Sequence, residues 1–360
     1  MTETHLAVFK GRQIRRTLHN NEWWFSIVDV CEALTESPDA GAYWRKLKQR
    51  LKEEGSEVVT FCHGLKLPAA DGKKYETDCA NTEGVFRIIQ SIPSPKAEPF
   101  KSGNVLLRRE QYRRADDLQT SALIARAVLT GKIANCRTVL QRALRDHSEK
   151  IDAAAISEAS QRLAHYLRRL TSELTLDIAR GVEGESEHTY FSVFEHLITS
   201  QKDDFTFHER NRRPPLDNMN CLLSFLYALV MHDVRSALET VGLDPAVGFL
   251  HRDRPGRYGL ALDLMEEFRP FIADRLALSL INLCQVQGKG FQKKESGAVW
   301  MDNDTRKTVL VAYQNRKQEE IMHPFLKEKV TIGLLFHVQA LLMARYLRGD
   351  MDNYPSFIWK

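Results

Sequence analysis

Residues 91–104, SIPSPKAEPFKSGN, divide the chain into two stretches of different periodicity. Three prolines and a glycine among polar residues interrupt regular structure, so the segment reads as a linker. Before it, short strand-like and helix-like pieces alternate. After it, helical periodicity dominates to the end. The contrast restricts the fold to an α+β domain over residues 1–100 followed by a mostly α-helical domain over residues 101–360.

In the first stretch, LAVFKGRQIRRTL and EWWFSIVDV read as two strands joined at Asn20-Asn21, and the second runs into a helix through DVCEAL. Residues 42–54, AYWRKLKQRLKEE, form a basic helix with Arg45, Lys46, Lys48, Arg50 and Lys52. A solvated face explains that charge as well as contact with DNA does. A hairpin is expected across DGKK (71–74), and a helix from Thr82-Glu83. Trp23, Trp24, Phe25 and Trp44 read as the core of this domain, with base stacking as the other use of such rings. In the second stretch, helices are expected at 116–150, 153–181, 188–201, 216–241, 260–284, 303–323 and 333–348, with a short hairpin within 288–301.

The net charge of +4 over 360 residues permits nucleic-acid binding without requiring it. Six scattered cysteines with no CxxC pair argue against a zinc knuckle or a redox motif and fit the reduced thiols of a cytoplasm. Neither a run of eighteen apolar residues nor a secretory signal is present, so no membrane span or export is expected.

Chemistry concentrates in GFLHRDRPGRYGLALDLMEEFRP, residues 248–270. His251 precedes an Arg/Pro/Gly turn. Asp263, Glu266 and Glu267 follow at i, i+3 and i+4, which puts three carboxylates on one helical face. Carboxylates beside the apolar Leu260, Leu264, Met265 and Phe268, and near an imidazole, suit Mg²⁺ or Mn²⁺. An amphipathic helix with a solvated acidic face and an ordinary loop histidine explains the same residues. Glu183, between Gly181 and Gly184, is either a carboxylate open to close approach or a surface residue in a helix-to-helix turn. Glu185 and Glu187 read as solvated. Arg210, Arg212 and Arg213 precede a helix, and Arg252, Arg254 and Arg257 follow His251; such clusters hold phosphate backbones through charge and forked donors. Asn220, Ser224 and Tyr227 share one face of the apolar helix after Pro215, as support for a site or as a structural hydrogen-bond network. Lys317, Glu319 and Glu320 read as surface charge.

Taken together, EG at 183–184, NRRPPLDNMNCLLSFLYAL, VGLDPAVGFLHRDRPGRYGLALDLMEEFRP, RKTVL with YQNRKQEEIMHPFLKEKV, and the final YLRGDMDNYPSFIWK resemble one family. It is the CRISPR adaptation integrase, CRISPR-associated protein 1, of the type I-C kind. The resemblance begins near GNVLLRREQYR at Gly103 and runs to Lys360. It implies a metal triad of Glu183, His251 and Glu266, with Asp263 as a further acidic residue assisting the site. It implies a metal-dependent endonuclease/integrase using Mg²⁺ or Mn²⁺, in which a 3′-hydroxyl attacks a phosphodiester and joins a spacer to the CRISPR repeat. The implied partners are DNA (prespacer and repeat), CRISPR-associated protein 2 and a second copy of the chain.

FKGRQIRRTLHNNEWWFSIVDVCEAL, YWRKLKQRLKEEGSE, HGLKL, DGKKYETD and NTEGVFRIIQSIPSPKAEPF resemble a Bro-N domain, over residues 5–100. That module occurs in phage antirepressors and baculovirus-repeated-ORF proteins and is taken to bind DNA. Here it stands where the integrase family carries a β-rich domain that makes much of its homodimer. ESEHTYF, after Glu183-Gly184, is also bulkier and more charged than the small residues common in the family. The expectation is a two-domain, cytoplasmic, metal-dependent DNA integrase/nuclease. The alternative is an antirepressor-type DNA-binding regulator carrying an inactive integrase domain.

Overall fold

A computed structural model describes residues 4–9, 12–19, 22–35, 37–53, 62–69, 72–92, 98–170 and 175–359. The chain divides into two compact units, residues 1–106 and 107–360.

In the first unit β1 (Thr4–Phe9), β2 (Arg12–His19) and β3 (Glu22–Ser26) form an antiparallel meander. The helices α1 (Ile27–Leu34) and α2 (Ala40–Glu53) follow, then the hairpin of β4 (Cys62–Pro68) and β5 (Lys74–Asn81), then α3 (Thr82–Ser91). β5 pairs with β3, giving one sheet in the order β1-β2-β3-β5-β4. Side-chain caps start two of these helices: Ser26 accepts from Asp29 N–H, and Asn81 accepts from Gly84 N–H. Ile27, Val30 and Leu34 pack with Trp44, Leu47, Leu51 and Ile88. α2 thus turns its apolar face inward and leaves Arg45, Lys46 and Lys52 exposed. Trp24 and Trp44 are buried, as expected of core aromatics, whereas Trp23 lies under the Arg16 guanidinium at 4.2 Å. LAVFKGRQIRRTL proves to be two strands, not one; the turn at Asn20-Asn21 lies outside the described residues.

α4 (Glu98–Asp116) spans the division between the units, so residues 98–104 are helical and not the expected linker. Pro99 falls in the first turn, where a missing N–H removes no helical bond. The second unit continues with α5 (Leu118–His147), α6 (Ala153–Arg169), α7 (Leu176–Phe191), α8 (Asn218–Val241) and α9 (Gly259–Met265). A π-helical segment (Arg269–Asp274) leads into α10 (Arg275–Asn282). The hairpin of β6 (Phe291–Lys293) and β7 (Val299–Met301) precedes α11 (Asn303–Gln318). The hairpin of β8 (Glu320–Met322) and β9 (Lys329–Thr331) precedes α12 (Ile332–Leu347).

α8 is the central helix, packed against α12, α9, α10 and the π segment. Its average composition and length would let it cross a bilayer, but Met219, Leu222, Leu226, Val230 and Val234 are buried in the unit's core. Its start and stop are the expected ones: the Asp217 side chain caps it, and Gly242 ends it with φ +90°.

Four helices differ from the expected spans: the one expected over 188–201 gives way after Phe191 to a turn and a short 3-10 segment (Phe194–Leu197), and the one expected over 303–323 ends at Gln318 before β8. The helix expected over 153–181 stops at Arg169, and the turn expected around 183 is the middle of α7, which Thr175 caps. The helix expected over 260–284 is broken: α9 ends at Met265, a turn follows at 266–268, and the chain re-enters as a π helix. Pro270 has no N–H to give the preceding turn, and its ring crowds an α-helical carbonyl, so the wider winding relieves both.

Candidate active site

Two glycines set the position of His251. Gly248 and Gly259 press two stretches of backbone together: a Cβ on Gly248 would sit 2.6 Å from the Gly259 carbonyl carbon, and one on Gly259 2.7 Å from the Ala246 oxygen. Gly259 N–H donates to Ala246 O (2.9 Å) and Leu260 N–H to Pro245 O (3.0 Å). The loop therefore lies against the first turns of α9, above Asp263. This carboxylate is buried and accepts the N–H groups of Phe249 (2.6 Å), Leu250 (3.0 Å) and His251 (3.0 Å). His251 Nδ1 is 2.6 Å from its Oδ1. A carboxylate facing Nδ1 favours the tautomer with its proton there and leaves Nε2 as the free lone pair.

The carboxylates come from two further elements. Glu183 and Glu187 lie one turn apart on α7, and Glu266 is the first residue after α9. All three face Lys132 of α5, whose Nζ lies 2.5 Å from Glu183 Oε1, 2.9 Å from Glu187 Oε2 and 2.9 Å from Glu266 Oε2. Arg269, at the start of the π segment, pairs with the other Glu266 oxygen at 2.8 Å. Burial would discharge Lys132, but its three carboxylates outweigh that and hold its pKa well above the ordinary lysine value. Burial raises the pKa of Glu183, while Lys132 lowers that of Glu187.

Glu183, Glu187 and Glu266 line one cavity of about 890 Å³, together with His251 and Arg269. Glu183, His251 and Glu266 are thus brought together across 83 residues of sequence (266 − 183). Asp263 does not reach the cavity; it acts on it through His251. Glu267 departs further from the expected acidic face. It is buried behind the site, accepting from Gln339 Nε2 (2.9 Å) and from Phe357 N–H (2.7 Å), and burial raises its pKa to about 8. The broken helix explains the divergence, since regular i, i+3, i+4 spacing holds only inside an unbroken α-helix. Asn135 ties the same region down, donating to Glu267 O (2.8 Å) and Phe357 O (2.9 Å) and accepting from Trp359 N–H (2.8 Å).

Arg210, Arg212, Arg252, Arg254 and Arg257 line the cavity, whereas Arg213 is exposed and not among its lining residues. Arg210 is held in place: its guanidinium donates to Asn220 Oδ1 (2.6 Å) and Ser224 Oγ (3.1 Å) and lies over the Tyr227 ring. The polar stripe on α8 is therefore the mounting of this arginine, while Tyr227 OH donates to the buried Asp274 at 2.7 Å. Burial lowers the pKa of Arg257, and the neighbouring Arg254 and Arg212 lower it further. Lys132 and Arg269 were not singled out from sequence, and Glu187, read there as solvated, is instead half-buried and paired with Lys132 on the cavity wall. Glu187 had a signal, its i+4 spacing from Glu183, and so did Lys132, a lysine on a face shared with Val128, Leu129 and Cys136. Glu185, read as solvated, is exposed and pairs with Arg169.

As a donor set, carboxylate oxygens and one bare imidazole nitrogen fit a hard divalent cation, and they already surround a positive charge at Lys132. Among the described residues, however, no three such side chains are closed up around one point; the glutamates turn onto Lys132 and Arg269. The arginine-lined wall opposite suits a polyanion.

The family described as CRISPR associated protein Cas1 matches residues 93–315, and the BRO family, N-terminal domain, matches residues 13–107. Over 258 residues the chain is 57% identical to CRISPR-associated endonuclease Cas1 1 of Chlorobaculum tepidum, covering 72% of this chain and 75% of that protein. It is 45% identical over 255 residues to CRISPR-associated endonuclease Cas1 of Leptospira interrogans, covering 71% of this chain and 100% of the relative. Among solved structures, a casposase bound to integration product has a TM-score of 0.63 at 21% identity, over 72% of this chain and 74% of that one. A CAS1 protein from Thermotoga maritima gives 0.57 at 25% identity, over 68% and 73%. A partial Cas6-RT-Cas1–Cas2 complex gives 0.59 at 23% identity, over 70% and 72%.

Proposed function

Since this chain belongs to the CRISPR-associated Cas1 family and carries a BRO-type domain ahead of the Cas1 region, we propose that it is a metal-dependent DNA endonuclease/integrase of CRISPR adaptation. The observation that carries the reading is the gathering of Glu183, His251 and Glu266 on one arginine-walled cavity. In this reading these three hold Mg²⁺ or Mn²⁺, and Lys132 yields the glutamates to it. When bound, the ion would supply Lewis-acid activation at a phosphodiester and at an attacking hydroxyl.

The chain's own groups do the rest. Asp263 holds the His251 ring and keeps its proton on Nδ1, so Nε2 stays available. Arg212, Arg252, Arg254 and Arg257 hold the DNA backbone and offset charge that builds on the phosphate. Arg269 keeps Glu266 aimed into the cavity. The substrates are a prespacer with a free 3′-hydroxyl and the CRISPR repeat. CRISPR-associated protein 2 and a second copy of the chain are the proposed partners, in the cytoplasm, as the named Cas1–Cas2 assembly among the structural relatives supports. The catalytic domain is taken as residues 101–360 and the Bro-N-like DNA-binding domain as residues 1–100.

The match to the BRO domain favours one second reading, a DNA-binding regulator of antirepressor type with a silent integrase region. Mn²⁺-dependent nicking and strand transfer on branched DNA separates the two. The integrase reading expects activity in the full chain and none in His251→Ala, with DNA binding retained. Inactivity of the full chain, with sequence-selective binding indifferent to His251→Ala and to metal, would establish the regulator.

A further inference from the structure

Beyond the cleft, α10 and α11 enclose a second cavity, of about 700 Å³. Arg275, Arg316 and Lys307 are on its wall, with Ser279 and Asn315 between them. Arg275 opens α10 immediately after the π segment. Its guanidinium lies 4.2 Å from the Trp359 ring centroid and 5.8 Å from that of Phe271. Arg142 also stacks on Trp359, at 3.9 Å, and Arg316 lies 5.5 Å from Phe271. Three guanidiniums thus share two aromatic rings.

Their partners are unequal. Arg316 pairs with Glu319. For the Arg275 guanidinium, the interactions among the described residues are the two ring contacts, with no hydrogen-bond acceptor. It is largely buried, and burial, then Arg316 and Arg142, pull its pKa down to about 10. A guanidinium carries five donors in a planar fork. Its donors keep contact with water and are open to an acceptor, while like charges at close range cost free energy. An anion in the cavity would take the donors and relieve the repulsion. A carboxylate offers two acceptor oxygens in one plane, whereas a phosphodiester sets its two charged oxygens tetrahedrally beside two weaker ester oxygens and so faces Arg275, Arg316 and Lys307 from more directions. The wall carries three cations against the one carboxylate, Glu319, so it holds positive charge in surplus.

We propose that this cavity holds a backbone phosphate of the DNA beyond the stretch seated in the cleft, with Arg275 as its principal donor. The proposal rests on the reading that the chain acts on DNA. One helical stretch, 269–282, then carries Arg269 beside Glu266 at one end and a phosphate contact further along.

The test uses the full chain, a labelled short duplex confined to the cleft, and a long one that extends past it. Arg275→Gln should weaken the long duplex about 5- to 20-fold and make the slope of log K against log salt less negative by about 0.9, the contribution of one phosphate. Short-duplex affinity and Mn²⁺-dependent nicking of the short duplex should not change. Lys307→Gln, at an exposed position, should do the same more weakly and serves if Arg275→Gln fails to fold. Unchanged long-duplex affinity and slope in both variants, while wild type binds DNA, overturns this inference alone. No binding of either duplex by wild type overturns the DNA-acting reading itself. Inorganic phosphate measured by calorimetry distinguishes the source: binding lost in Arg275→Gln with long-duplex affinity intact assigns the cavity to a free anion and rejects the DNA contact.

Discussion

Both oxygens of Asp263 are committed, to three backbone N–H groups and to the His251 ring. Asp263→Asn puts an NH₂ against one of those donors, which costs about 1–3 kcal/mol for an unsatisfied buried group. Thermal unfolding should therefore fall more in Asp263→Asn than in His251→Ala, while metal-dependent nicking is reduced in the first and abolished in the second. Equal abolition with folding intact would mean that Asp263 touches the reacting groups. Asp274 gives a different kind of prediction. Burial holds its pKa near 7, against an ordinary 3.8, with Tyr227 opposing the shift. The folded state then keeps a proton that the unfolded chain releases, so this group's contribution to stability is full below about pH 4 and is lost as pH rises to about 7. The loss amounts to on the order of 2–4 kcal/mol. Asp274→Asn should flatten that slope in denaturant unfolding between about pH 5 and pH 8; an unchanged slope would show that Asp274 is ionised in the fold. At this scale the sequence made Glu183, His251, Asp263 and Glu266 visible, because motif residues keep their spacing. Lys132 and Arg269 escaped because a counter-charge is defined by what packs against it, not by its neighbours in the chain.

Residues 182–187 of α7 fell between two expected helices because Gly181 and Gly184 punctuate it. Each glycine costs up to about 1 kcal/mol against alanine in a helix interior, and packing of Val182, Ser186 and Tyr190 overrides that cost. A Cβ at either glycine meets nothing within 4 Å. Gly181→Ala and Gly184→Ala should each stabilise the protein by about 0.5–1 kcal/mol in equilibrium unfolding. Gly184 alone lines the cavity, so Gly184→Ala should also weaken DNA binding and lower nicking, whereas Gly181→Ala should not. Equal activity in both would remove DNA from that wall. The helix from 260 to 284 failed for another reason. Its apolar period is regular enough to predict one α-helix, and only Pro270 hints that the winding changes. The hairpins at 62–81 and 291–301 and the span of α8 were legible because turn chemistry and helical periodicity are local.

At the scale of the whole chain, the change of texture found the two units, but α4 showed that the sequence between them is partly helical. Leu107 is buried in the second unit's core, and Gln111 donates to the Asp244 and Val247 carbonyls. A second unit that begins after about residue 107 would therefore lose part of its support. A fragment of residues 98–360 made on its own should fold and keep Mn²⁺-dependent nicking, checked by circular dichroism and in-gel activity. The relative from Leptospira interrogans, matched over its full length by this region alone, supports that expectation. Loss of nicking with the fragment still folded would assign the first unit a part in catalysis. The ties made by Asn135 have a further consequence. They join positions 222 and 224 residues apart, beside the backbone that presents Glu266. Contacts so distant in sequence form late, because the entropy of closing the intervening chain must be met before they stabilise anything. In refolding, the local helices are expected to form first and the surroundings of Glu266 last, so recovery of nicking should lag recovery of helical circular dichroism.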